Sequence, residues 1–468
     1  MRKFLLLSVF IVLMFASAAQ IIPQGGGEYK MPKSQCITEV QHTEIVDKLH
    51  TSLLNLQAKG IVPQTFSPDQ VLFDFPLKQS TSYNYPSYYG ISNYFDHNTA
   101  FPNQITDYNC GTRSYDAASG YNHQGIDYFL WPFDNLMMLR EQVQVIAAQA
   151  GTILAKSDGN FDQNCAFCTG CNWNAVFILH ADGSVAWYGH LKTNTLTAKA
   201  VGATVAIGEY LGAVGSSGNS SGPHLHFEVY KAQPYINANL IDPYAGACNT
   251  RNLQSWWQNQ RPYNQPTINL IQTQTAPTSF NTCPASETTN ESNVFVQGQQ
   301  VYYSVYYADQ ITGTTATYTV TRPDNSIYQT WTQTFTNSFS ASWWWWTYTL
   351  PANAPLGNWN YRAVYNSQTV NYPFLVTAAT SVSTVNNELK KIKIFPNPVL
   401  SIVNLVMEDW VKEPLVIISN LKGEIVIRKV YNQPAKHFTL QLAFLPKGNY
   451  LVVVMDGIKK VAQQKLMK

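Results

Sequence analysis

From Val71 to its C-terminus the chain is written in short apolar runs, broken every few residues by Gly, Asn, Asp and Pro. That punctuation excludes long helices over most of its length. Runs at Val143–Ala148, Gly151–Ala155, Ala175–His180, Ser184–His190, Thr204–Ile207, Tyr210–Val214 and His224–Tyr230 read as strands, with Ala181-Asp182-Gly183 as a hairpin turn. A second series, Asn293–Tyr307, Thr314–Thr321, Phe339–Tyr348, Asn358–Val364 and Tyr372–Val376, has the spacing of a β-sandwich. A third occupies Leu415–Ser419, Glu424–Val430, Phe438–Leu442 and Tyr450–Asp456. One helical pattern stands out, from about Thr43 to Lys59, with Ile45, Leu49, Leu53 and Leu56 on one face and Gly60 as its stop. The expected fold is mainly β, with antiparallel sheets throughout.

At 468 residues the chain is too long for one core. Residues 1–19 have the form of a signal peptide: Arg2 and Lys3, an apolar Phe4–Phe15, then Ala16-Ser17-Ala18-Ala19 as a small-residue cleavage site. No later stretch approaches the ~18 consecutive apolar residues of a transmembrane segment. The text then divides into an N-terminal helical segment (20–68), a strand-rich domain (69–245), a Gln/Asn/Pro-rich linker (246–284), a β-sandwich (285–378), a Ser/Thr/Val linker (379–390) and a terminal β module (391–468). From Glu388 onward thirteen Lys/Arg face six Asp/Glu, whereas residues 20–387 carry fifteen against twenty-two. A basic terminal module on a mildly acidic body implies a separate job for that module, and the absence of a basic stripe on the body excludes nucleic acid as a partner. Seven cysteines in an exported chain are expected to form disulfides, with at least one thiol left over.

Four histidines and an aspartate carry the chemistry. His123-Gln124-Gly125-Ile126-Asp127 sets an imidazole four residues before a carboxylate, and His224-Leu225-His226 sets two imidazoles on the same face of a strand. An aspartate with two histidines suits zinc, and three protein ligands leave the fourth position for water. His190 ends the strand Trp187-Tyr188-Gly189-His190.

Together, His123-x-Gly-x-Asp127, Tyr188-Gly-His190-Leu191 and the Gly215–Val229 stretch ending His224-Leu-His226-Phe-Glu-Val resemble the lysostaphin-type (LytM-like) zinc endopeptidases, over roughly Phe73 to Tyr244. The resemblance implies one zinc ion per peptidase domain, held by His123, Asp127 and His226, with His190 and His224 as catalytic histidines that do not bind it. It also implies hydrolysis of peptidoglycan cross-links or Gly-rich peptides. The alternative is a non-catalytic wall-binding protein or adhesin on the same fold, whose degenerate sites are expected to lack the ligands. Two insertions, Trp131–Glu141 and the Cys-rich Ser157–Trp173, depart from the compact family form and are expected to rim the cleft. The segment from Gln20 to about Ser67, lying before the peptidase region with a helix too short to be stable alone, is expected to pack over the cleft as a latency arm.

Pro355-Leu-Gly-Asn-Trp359-x-Tyr361 resembles Ig-like accessory modules, making residues 285–378 an Ig-like β-sandwich. Nearby, Trp343-Trp344-Trp345-Trp346 sends two indoles to each face of a strand, and the outward pair is expected to pack under a loop or neighbouring domain. Phe395-Pro396-Asn397-Pro398 and Leu445-Pro446-Lys-Gly448-Asn-Tyr450 resemble the C-terminal sorting domain of type IX secretion in Bacteroidetes. That resemblance implies the type IX machinery as a partner, and a secreted or cell-surface location reached through periplasm and outer membrane.

Overall fold

The computed structural model describes residues 19–31, 33, 35–168, 170–378, 390–421, 423–457 and 459–468. The leader expected at 1–19 and the connection at 379–390 lie almost wholly outside the described residues. The chain is mostly β, and no helix among the described residues is long and apolar enough to cross a membrane.

The peptidase region is built on an antiparallel sheet. Its strands run Thr204–Val205, Gly151–Ser157, Ala175–Leu179, Val185–Gly189, His224–Tyr230, Ile126–Leu130, Tyr89–Asn93, with Leu240–Ile241 added beside His224–Tyr230. The three central strands are buried throughout, as a sheet covered on both faces requires. One face rests on a core holding Ile126, Tyr128, Tyr188 and Phe227. On the other side, Trp173, Phe177 and Trp187 meet the helix Glu39–Ala58 through Leu49, Leu53 and Leu56. That helix begins four residues before the expected Thr43, because Thr38 and Gln41 form a reciprocal capping box.

The sandwich pairs a six-stranded sheet with a four-stranded one. The segment 246–284, read from sequence as a linker, supplies one of its strands, Thr267–Gln274, paired with Gln300–Gln310. Its polar residues had the look of a connection, yet they are buried and hydrogen-bonded. Gln274 Nε2 donates to Thr278 Oγ1 at 2.7 Å and Thr289 O at 2.6 Å, and Asn269 Nδ2 donates to Tyr89 O at 3.0 Å. The insertion Trp131–Glu141 reaches from the cleft, where Asp134 lies beside Gly222, into the sandwich. Trp131 is fully buried, stacks on Phe280 and donates to Tyr307 O, tying the peptidase region to the sandwich.

The tryptophan cluster follows strand alternation. Trp344 and Trp346 face the sandwich core, while Trp343 turns to the peptidase core. The strand Gly25–Glu28 covers this edge, with Gly25, Gly26 and Gly27 opposite Trp345, Trp344 and Trp343. A Cβ on Gly26 would stand 2.1 Å from Trp343 O, and its φ of +115° is open only to glycine. The sorting module closes around its own core of Val403, Leu440, Val452 and Val454, between a three-stranded and a four-stranded sheet.

Candidate active site

Register assembles the site. Asn93, Asp127, His226 and Gly189 stand directly opposite one another on four adjacent strands, forming one row across the sheet. His224 lies on the same face as His226, two residues earlier, and His190 follows Gly189 with a φ of +62°, a left-handed conformation uncommon outside glycine. His123 arrives from the loop before Ile126–Leu130. Gly125 is required there, because a Cβ would lie 2.6 Å from the His226 ring.

All five residues expected from sequence come together. His123 Nε2 is 3.1 Å from Asp127 Oδ2, His226 Nδ1 is 2.9 Å from Asp127 Oδ1, and the two ring nitrogens are 3.4 Å apart. His190 and His224 stand beside them with ring centroids 4.4 Å apart, and His224 Nε2 lies 3.8 Å from Asp127 Oδ1.

Neighbouring acceptors decide which nitrogen of each ring faces inward. His123 Nδ1 donates to Tyr94 O at 2.7 Å, and His226 Nε2 donates to Glu228 Oε2 at 2.9 Å. His190 Nδ1 donates to Ser217 O at 2.6 Å, and His224 Nδ1 to Gly222 O at 2.8 Å. The remaining nitrogen of each ring therefore faces the site. Lone pairs of His123 and His226 within about 3 Å of a carboxylate repel unless a proton or a cation is shared between them. In a tetrahedron with metal–ligand bonds of ~2.0–2.1 Å, ligand atoms lie about 3.3–3.4 Å apart, close to the spacings found here. The donor set, its spacing and the hydrogen bonds that orient it all fit a zinc ion.

Burial alone opposes charge on Asp127, but the imidazoles of His123 and His224 hold its carboxyl well below the usual range, so it is anionic. Burial also pulls His123 down, yet the adjacent Asp127 outweighs it and raises the ring to about 9, so a proton holds the place between them until a cation displaces it. Burial and the neighbouring His224 push His190 below its ordinary value, so that ring is neutral.

Sequence reasoning missed several contributors. Asn93 Nδ2 donates to Asp127 Oδ2 at 2.9 Å, Tyr115 stacks on His123, and Trp173 lies edge-on to His190. Glu228 was legible, since alternation places residues 224, 226 and 228 on one face. His97, which matches no motif, is buried against Asp242 at 2.9 Å and holds the end of the domain. Tyr188 is a core aromatic whose hydroxyl accepts from Ala148 N. The cysteines form Cys110–Cys248, Cys165–Cys283 and Cys168–Cys171, leaving Cys36 free and buried.

Residues 122–243 match the model of Peptidase family M23, and residues 393–468 match that of the Secretion system C-terminal sorting domain. The chain thus carries an M23 (LytM-type) peptidase domain, of a metallopeptidase family, followed by a type IX sorting domain that marks it for secretion. Over 126 residues it is 33% identical to the DD-carboxypeptidase/endopeptidase Mpg of Neisseria meningitidis serogroup B (strain MC58) and of Neisseria gonorrhoeae (strain FA 1090). The match spans 27% of this chain and 27% of each relative, so about a quarter of their length is shared. Among solved structures, the catalytic domain of an alanine-to-histidine mutant of the prophage-encoded M23 protein EnpA from Enterococcus faecalis is 25% identical. It covers 34% of this chain and 92% of its own, with a TM-score of 0.21.

Proposed function

We propose that this chain is a secreted zinc endopeptidase acting on peptide bonds of peptidoglycan cross-links or on Gly-rich peptides. The observation that carries the reading is the convergence of His123 Nε2, Asp127 and His226 Nδ1 at tetrahedral spacing, with the inward nitrogens of His190 and His224 beside them. His123, Asp127 and His226 would hold the ion. A bound zinc supplies a Lewis acid for the scissile carbonyl and lowers the pKa of an attacking water. His190, neutral and held by Ser217 O, offers a lone pair to take up a proton. Burial opposes charge on His224, but Asp127 outweighs it and raises the ring; with Nδ1 held by Gly222 O, its Nε2–H is placed to steady charge developing on the carbonyl oxygen and to give a proton to the leaving amine, replaced by the one His190 takes up.

Zinc content and wall hydrolysis test the assignment together. Asp127→Ala and His226→Ala are expected to lose both the ion and the release of new peptide ends from purified walls. His190→Ala and His224→Ala are expected to keep one zinc per chain while turnover falls by about 10²–10⁴-fold. Full zinc in Asp127→Ala, or zinc loss in His190→Ala, would show that ligand and catalyst are exchanged.

A further inference from the structure

We infer that Cys36 is a fourth ligand of the metal in the His123/Asp127/His226 centre, placed there by an N-terminal strap that closes the site. The inference rests on the metal-site reading above.

Four residues, Cys36, His123, Asp127 and His226, offer ligand atoms that all lie within 4.8 Å of one another. Cys36 Sγ is 3.5 Å from His226 Nδ1. With bonds of ~2.3 Å to sulfur and ~2.0–2.1 Å to nitrogen, a tetrahedral zinc sets its sulfur and nitrogen ligands about 3.6 Å apart. A free cysteine that merely fills space sits among apolar neighbours. Cys36 instead meets the Tyr115 hydroxyl at 3.1 Å, the inward nitrogens of the histidines and a carboxylate. On its other side, the fully buried His190 Nε2 has no hydrogen-bond partner, and His190 and His224 each offer a nitrogen within 4.8 Å of this sulfur. Catalytic zinc sites keep one position for water, whereas sites closed by four protein ligands do not turn over. Here Sγ takes that fourth position.

The strap is fastened to both walls of the cleft. Tyr29 donates to Asp134 Oδ2, and Met31 lies beside Gly222, on the His224 side. Lys33 Nζ donates to Ser114 O, and Ser119 Oγ donates to Gln35 Oε1, on the His123 side. Past Cys36, Gln41 Nε2 donates to Cys171 O and Gln41 Oε1 accepts from Asn219 Nδ2. With the strap in place His123, His190 and His226 have no exposed surface and His224 only 5%, so an extended peptide has no path to them.

Cobalt(II) replacing zinc in the mature chain reads the ligand directly. The unaltered chain is expected to show a near-ultraviolet thiolate-to-cobalt charge-transfer band, which Cys36→Ser loses while still binding one cobalt. One thiol per chain should resist a thiol reagent with zinc bound and react once the zinc is chelated, a measurement that needs no variant. Cys36→Ala should hydrolyse walls faster, by up to about tenfold for a thiolate that holds nine chains of ten closed. Bound cobalt without the band, or equal thiol reactivity with and without zinc, would overturn the assignment and leave Cys36 a buried thiol. A sulfur band without hydrolysis by any form would support the ligand and retire the peptidase reading.

Discussion

The two ends of this chain are attached to the peptidase body in opposite ways. The N-terminal arm gives the body its own core residues. Leu49, Leu53 and Leu56 close over Phe177 and Trp187, Ser52 Oγ donates to Leu154 O, and Gly25–Glu28 adds a strand to the sandwich. The C-terminal module keeps its apolar residues to itself. Among the described residues its ties to the body include Arg140 Nη2 donating to Val426 O and Arg428 lying 5.5 Å from the Tyr372 ring. A segment is separable when its apolar face is satisfied within itself, and sequence position at a terminus says nothing about that.

The contrast breaks most sharply in the native host. A chain ending near Asn386 should keep its melting temperature and zinc, yet fail to cross the outer membrane and accumulate in the periplasm. Appearance of that truncated chain in the medium would reduce the sorting module to an adhesive one. A smaller effect separates the two cores. Leu53→Ala should cost the body about 2–5 kcal/mol, whereas Leu440→Ala should lower a transition belonging to the tail alone. Calorimetry of the full chain resolves the two, and a single shared transition in Leu440→Ala would show that the module is integral.

Acid should also act on the body before the tail, whose His437 is exposed. His180 is fully buried, donates Nδ1–H to Ala150 O, and burial lowers its pKa to about 4. The unfolded chain protonates this ring near ~6.5, so as pH falls the unfolded state takes up the proton first. The stability is complete above pH ~6.5 and is lost progressively towards pH 4, by up to about 3 kcal/mol. His180→Gln should flatten that slope in denaturant midpoints measured from pH 4 to 7. An unchanged slope would assign the acid sensitivity to other groups.

Much of the site was legible because its motifs are local. His224 and His226 share a face by strand alternation, His123 and Asp127 are four residues apart, and the strand His224–Tyr230 has the bounds the sequence implied. The strand Ile126–Leu130, which carries Asp127 and is buried throughout, was not read from the sequence. Thr267–Gln274 escaped because its polar residues are satisfied by partners distant in sequence.

Spacing and alternation in the sequence thus determined a mainly β chain, and motifs resembling known families marked the five candidate residues and the sorting module, because each depends on neighbours within a few positions. Only the tertiary structure decided what meets those residues from afar. Cys36 reaches His226 across 190 positions, Asn93 reaches Asp127 across 34, and the disulfide Cys110–Cys248 closes 138. An odd cysteine count announced a spare thiol. Which thiol, and that it sits among His123, Asp127 and His226, follows from the packing of the helix Glu39–Ala58 and its capping box, which hold Cys36 over the row of strands.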